Sequence, residues 1–295
     1  MNLDFKPLND TRCTLGEGPV YDDRRDALIW CDIVQMAVHG YFFHDQTTRT
    51  WSFRSEVGSL GLAESGRIVV ALRSEVGLFD PESGIFERIA EIEADNPATR
   101  LNDGKVGPDG AFWVGTMDDR DVSRKDPLGS LYRVDASGKV ERKIDGLVVS
   151  NGLAFAPDGR SMFHSDSRGR WIDRWDFDPA SGEISGRKRI AMLDDETGRP
   201  DGGATDATGA YWSAGVSAAQ LNRFSPDGEL LESYPVPVAA PTMPCFGGPA
   251  LDKLFVTSLR VGRAPELLDR YPLTGITIVA DSPVPGAPVS RFRDV

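Results

Sequence analysis

The sequence predicts an all-β chain folded as a six-bladed β-propeller of four-stranded antiparallel blades. Two observations carry this expectation. Six short apolar stretches, at residues 27–32, 67–72, 111–116, 161–166, 210–215 and 253–258, align with one another and recur every 40 to 50 residues, the period of a propeller blade. A second strand-like segment then follows each of them, and these two elements imply hairpins, two per blade.

The elements can be justified in order along the chain. Short turn signals precede the aligned strands: Arg24-Arg25, Ser65-Gly66, Asp109-Gly110, Asp158-Gly159 and Thr208-Gly209, with Leu251-Asp252 before the sixth. The second strand-like segments are expected at 40–45, 77–81, 130–135, 172–177, 221–226 and 268–273. Turns at 81–84, 136–138, 179–182 and 226–228 contain the Gly, Pro, Asp and Ser that hairpin geometry favours. The segments are rich in Val, Ile, Phe, Tyr and Trp, which suit a pleated surface. Helical periodicity is confined to 264–270, enough for one turn. That excludes a βα barrel, which needs about eight helices.

Six blades use nearly all of the 295 residues, so a single domain spanning 1–295 is expected. The net charge of −12 argues against nucleic acid as a partner, since phosphate recognition needs a basic face. Cys13, Cys31 and Cys245 lack metal-type spacing, and Cys31 reads as a small core residue. No basic-then-apolar leader and no membrane-length stretch is visible, which sets the expectation of a cytoplasmic protein with no membrane contact, monomeric by default. Polar loops at 91–100, 118–127 and 193–200 are candidate borders of a binding site.

A propeller has one place where polar groups from several repeats converge, the mouth of its axial channel. The innermost strand of each blade should lie just upstream of the aligned stretch, and most carry a glycine there: Glu17-Gly18, Leu60-Gly61, Asn102-Asp103-Gly104, Asn151-Gly152, Asp201-Gly202 and Phe246-Gly247. Equivalent positions sit at equivalent radii, so Glu17, either Asn102 or Asp103, Asn151 and Asp201 should ring the channel. Converging carboxylates and carboxamides are costly to bury unless something binds them. An all-oxygen set of this kind suits a divalent cation, with Ca²⁺ first and Zn²⁺, Mn²⁺ or Mg²⁺ as alternatives. The three histidines, His39, His44 and His164, are not brought together by the repeat pattern, so a histidine-built zinc site is not expected.

The segments 15–19, 100–104, 115–117, 150–153 and 200–202, together with 245–248 and 255–258, occur in the order of the senescence-marker-protein/gluconolactonase/regucalcin family, and the chain resembles that family over about its whole length. The resemblance implies a six-bladed propeller that hydrolyses a sugar lactone with a bound divalent cation. It implies that Glu17, Asn151 and Asp201 hold the metal, that Asp201 is catalytic, and that Arg100 and Asn102 contact substrate. It favours Asn102 over Asp103. Family members often carry an acidic residue after the Gly-Thr-Met segment; here Asp118 and Asp119 precede Arg120, a looser match. No GxSxG motif or Ser/His/Asp set suggests an acyl-enzyme. Phosphotriester hydrolysis on the same metal and a calcium-binding propeller without turnover are the alternatives.

Overall fold

The computed structural model describes residues 3–121 and 124–295; residues 122 and 123 of the 118–127 loop, and the first two residues of the chain, lie outside the described residues. Six four-stranded antiparallel sheets account for nearly all of the regular structure. The innermost strands are Gly16–Asp22, Val57–Leu62, Thr99–Val106, Ser150–Phe155, Pro200–Thr205 and Pro241–Gly247. Each pairs with the strand at its aligned apolar stretch, and the remaining strands of the blade follow outward in chain order.

The sixth blade departs from this order. Its outermost strand is Lys6–Arg12, from the start of the chain, paired with Ile276–Asp281. The ring is therefore closed by strands from both chain ends within one sheet. The expectation of a strand at 268–273 is corrected here: the helix Pro265–Arg270 occupies its first half, and the third strand of the blade is Ile276–Asp281. Leu268-Asp-Arg-Tyr imitates the true third strands Ile172-Asp-Arg-Trp and Leu221-Asn-Arg-Phe. Pro265 sits at the helix start, where its missing N–H costs nothing. The β-branched run from Ile276 supplies the ladder partners of Phe255 and Val256.

The core lies between adjacent blades. Val20, Ile29, Val38, Leu60, Leu62, Ile68 and Val70 pack the first blade on the second, and Trp212, Leu221, Tyr234, Phe246 and Leu254 pack the fifth on the sixth. The aspartates at two of the turns before the aligned strands have a second use beyond the turn. Asp109 accepts from Trp113 Nε1 at 3.1 Å and Arg133 Nε at 2.7 Å. Asp206 accepts from Trp212 Nε1 at 2.9 Å and Arg223 Nε at 2.8 Å. A buried carboxylate in each of these blades is thus fully partnered, as burial demands.

The C-terminal segment crosses one end of the channel. Ala287 N donates to Thr205 O, Phe292 N to Leu62 O, and Arg293 N to Gly110 O. Beneath it lies a mostly apolar cavity of about 280 Å³, lined by the far ends of the innermost strands, with Lys105 the one charged side chain in its wall. The chain therefore closes one mouth with its own tail and leaves the other to loops. No helix among the described residues is long and apolar enough to cross a membrane.

Candidate functional site

All six innermost strands slip register near their leading ends. The slip falls between Glu17 and Val20, Val57 and Ser59, Leu101 and Gly104, Asn151 and Ala154, Pro200 and Gly203, and Pro241 and Pro244. A bulge bends the strand and redirects a side chain, here at the mouth opposite the C-terminal strap. Gly18 and Gly152 adopt φ of +56° and +65° at two of these bulges. At Gly152 a Cβ would come within 2.4 Å of both Ser165 Oγ and Tyr211 Oη. The Glu-Gly and Asn-Gly pairs are bulge glycines, not hairpin turns.

The bulges also correct the register of two repeats. Leu60 and Phe246 lie past the slip, opposite Val70 and Leu254. The positions level with the ring in those blades are Val57-Gly58 and Pro241-Thr242, and Thr242 Oγ1 is committed to Gly16 O at 2.6 Å. Glycine is a poor anchor for alignment here because it recurs further down the strand, where neighbouring side chains press on the backbone; a Cβ on Gly61 would sit 2.6 Å from Val106 Cγ2.

The other four blades bring their polar residues together. Asn151 Nδ2 donates to Asp201 Oδ1 at 2.5 Å and to Ser167 Oγ at 2.8 Å. Asn102 Nδ2 donates to Ser150 O at 3.0 Å and approaches Asn151 Oδ1 at 3.4 Å. Glu17 is buried, its carboxylate accepts only from Gly18 N among the described residues, and it lies within the field of Asp201 and Asp103. Arg100 donates Nε to Asp119 Oδ1 at 3.1 Å and Nη1 to Leu101 O and Asn102 Oδ1, both at 2.9 Å. Its Nη2 makes no hydrogen bond among the described residues.

Asp103 joins this group as well as Asn102, so the choice between them does not arise. Asp103 Oδ2 accepts from Leu153 N at 2.9 Å, and its buried Oδ1 has no partner. Lys105, two residues on, donates Nζ to Gly203 O at 2.8 Å, and its charge acts on Asp103. Alternation along the strand was the available signal for Lys105, since it shares a face with Asp103.

These carboxylates behave unlike the partnered ones in the blades. Burial, then the charge of Asp201, then that of Asp103, pushes the Glu17 carboxyl well above its usual range. Burial and Asp103 raise Asp201 to about 7 against the pull of Arg199, Arg263 and Asn151. Burial raises Asp103 to about 6 despite Lys105. Three acids of raised pKa, Glu17 and Asp103 buried and Asp201 half-buried, act on one another with no ion pair among the described residues, and such groups gather at functional sites. The donors are oxygens throughout, which fits a hard divalent cation.

Asp118 and Asp119 divide two tasks. Asp118 is fully buried and turns the loop by accepting from Arg120 and from Asp126 N at 2.6 Å. Asp119 is the one at the mouth, bridging Arg100 and Arg73, the latter at 2.9 Å.

His39 meets two other ligand-type residues, neither of them a histidine. A ligand atom from each of Cys13, Asp32 and His39 lies within 4.8 Å of the other two. Asp32, however, accepts from the backbone N–H of Thr14, Leu15 and Gln35. Asp166 does the same for Val148, Val149, Arg168 and Gly169 in the fourth blade. The cluster is accounted for by a repeated turn-capping carboxylate.

Comparison with known proteins places these observations. The sequence profile of the SMP-30/Gluconolactonase/LRE-like region matches residues 15–260. A 6-deoxy-6-sulfogluconolactonase from Pseudomonas putida is 37% identical over 99% of each chain. An L-arabinolactonase from Azospirillum brasilense is 34% identical over 97% of this chain and 94% of its own. The crystal structure of a calcium-binding protein, regucalcin, from Agrobacterium tumefaciens superposes with a TM-score of 0.93 at 27% identity, covering 99% of this chain and 98% of that one.

Proposed function

The chain belongs to the SMP-30/gluconolactonase/LRE-like family, and on that premise we propose that it hydrolyses the ester bond of a sugar lactone to give the open hydroxy acid, with a divalent cation held by Glu17, Asn151 and Asp201. The observation that carries this reading is the convergence of Glu17, Asp103 and Asp201, all of raised pKa and none in an ion pair among the described residues, beside a donor-rich Arg100. Relatives named as lactonases at 37% and 34% identity over nearly the full chain support the reaction class.

When bound, the cation supplies Lewis acidity toward the lactone carbonyl oxygen. Calcium is the first candidate, because carboxylate and carboxamide oxygens are the ligands it takes. The protein's own groups carry the remaining work. Asp201 accepts a proton from the attacking water, whose oxygen bonds to the carbonyl carbon. The ring C–O bond then breaks, and the same proton passes to the departing ring oxygen. Arg100 Nη2 and the Asn102 carboxamide bind substrate oxygens, with Asp119 fixing the plane of the guanidinium. Ser167 and Asn102 hold the Asn151 amide in place from either side.

Hydrolysis rates of the calcium-loaded protein on five- and six-membered sugar lactones, beside an aryl phosphotriester, test the proposal. Turnover of a lactone that Asp201→Asn abolishes supports it. Turnover of the phosphotriester alone, or tight cation binding with no turnover of any ester, refutes it.

A further inference from the structure

The lactonase reading says nothing about charge on the substrate, yet the same mouth gathers cations. Lys125 follows the strand Phe112–Asp118, Arg168 follows Ser161–Asp166, Arg199 immediately precedes Pro200–Thr205, and Arg263 follows Lys253–Ser258. These are loops of four successive blades, all on the face where the innermost strands begin, the face of Asp201. The charge of Arg199 reaches both Arg168 and Arg263, and that of Arg168 reaches Lys125. Arg263 in turn lies within the field of Asp201.

Neighbouring guanidiniums repel, so their partners decide what the cluster is for. Asp195 serves Arg170 at 3.0 Å and Arg199 at 3.3 Å. Neither Arg168 nor Arg263 forms an ion pair or a side-chain hydrogen bond among the described residues, and the Nε of Arg263 is shut off from solvent with no acceptor. A buried donor left so is costly. The chain carries 45 acidic residues against 33 basic ones, so carboxylates to quench these arginines are not scarce. Elsewhere they are used: Arg67, Arg133 and Arg223 each hold at least two.

We propose that Arg168, Arg199 and Arg263, with Lys125 at the flank, form a subsite for an anionic substituent on the sugar lactone, a carboxylate, phosphate or sulfonate carried by the carbon chain outside the ring. This deepens the lactonase reading and rests on it. A positive arc on a chain of net charge −12 draws anionic substrate to this mouth and turns it away from the rest of the surface. Fork-shaped guanidinium donors match the oxygen geometry of all three head groups.

The test compares kcat/KM of the calcium-loaded protein on four lactones of one sugar, whose terminal carbon carries a hydroxyl, a carboxylate, a phosphate or a sulfonate. At least one anionic lactone is expected to exceed the neutral one by about tenfold or more, with the gap shrinking between about 50 mM and about 500 mM salt. The double variant Arg168→Gln/Arg263→Gln is expected to reduce the anionic-to-neutral ratio by about tenfold, and the arm with the largest ratio identifies the head group. A ratio near one in the unaltered protein, or a ratio the double variant leaves in place, overturns the subsite while lactone hydrolysis stands. Absence of turnover on all four removes the lactonase reading and the subsite with it.

Discussion

Asn151 Nδ2 lies 2.5 Å from Asp201 Oδ1, although the two residues are separated by 50 positions in sequence. They stand on the innermost strands of neighbouring blades, and the bulge in each strand turns them toward each other. The contact shares out the Asp201 charge without neutralising it. That incomplete compensation is the source of the first prediction.

Asp201→Asn should abolish activity yet stabilise the cation-free protein. The carboxamide keeps the shape and removes a charge that burial and Asp103 disfavour. Loss of the proton acceptor is expected to lower kcat by about 10²–10⁴-fold. In chelator, the melting temperature should rise by about 2 °C or more, as a gain of roughly 1 kcal/mol produces in a chain of this size. Lactone hydrolysis and thermal unfolding in chelator check the two halves.

Cation affinity should climb with pH and then level off. Asp201 and Asp103, raised to about 7 and about 6, are partly protonated in the cation-free protein at neutral pH. Their folded values lie above the unfolded ones, so the stability linked to them is complete below about pH 4 and is lost as pH rises through about 6 to 7. A cation needs the deprotonated forms, so its affinity strengthens across that same window. Calorimetric titration with calcium at pH 5, 6, 7 and 8, beside denaturant unfolding with and without the ion, checks both signs.

Asp119→Asn should act through Arg100. The carboxylate holds Arg100 Nε at 3.1 Å and is shared with Arg73. Without it the guanidinium is free to rotate, and KM is expected to rise by roughly tenfold with a smaller change in kcat. Arg100→Lys should follow the same direction, since a point charge cannot reproduce the fork. Steady-state kinetics on one lactone separates the parameters.

Asp206→Ala is the structural counterpart. It strips the acceptor from Trp212 Nε1 and leaves the Arg223 guanidinium with Glu232 and the Thr208 hydroxyl. Removing one partner of a buried pair costs about 3–5 kcal/mol, so the melting temperature should fall by roughly 6 °C or more. Turnover per folded molecule at low temperature should be kept, because Asp206 lies at the strand ends away from Asp201. Unfolding curves together with rates at about 10 °C check this.

The architecture was legible because each blade repeats its own punctuation. Asp109-Gly110 and Thr208-Gly209 mark turns, and the carboxylates of Asp109 and Asp206 anchor a tryptophan and an arginine on the strands that follow. Such recurrence survives in one sequence. The last blade misled at 268–273 because Leu-Asp-Arg-Tyr copies the pattern of third strands while Pro265 starts a helix instead. Closure by Lys6–Arg12 was invisible, since that strand is mostly exposed and pairs only across the ends of the chain.

Of the polar ring, the members followed by glycine could be aligned, and the structure brings Glu17, Asn102, Asn151 and Asp201 together. Asp103 could not be separated from Asn102 by spacing, because a bulge lets two consecutive residues share the mouth. Arg168, Arg199 and Arg263 were beyond reach for another reason. They sit in connecting loops of unequal length, where no repeat fixes the position of a side chain.

The central claim is that Glu17, Asn151 and Asp201 form one cation site on which lactone hydrolysis depends. The most direct measurement strips the protein with chelator, assays it on a sugar lactone, and then restores calcium in stepwise equivalents. The account predicts that turnover falls by about 10²-fold or more on stripping and returns with a single equivalent per chain. Undiminished turnover by the stripped protein contradicts it.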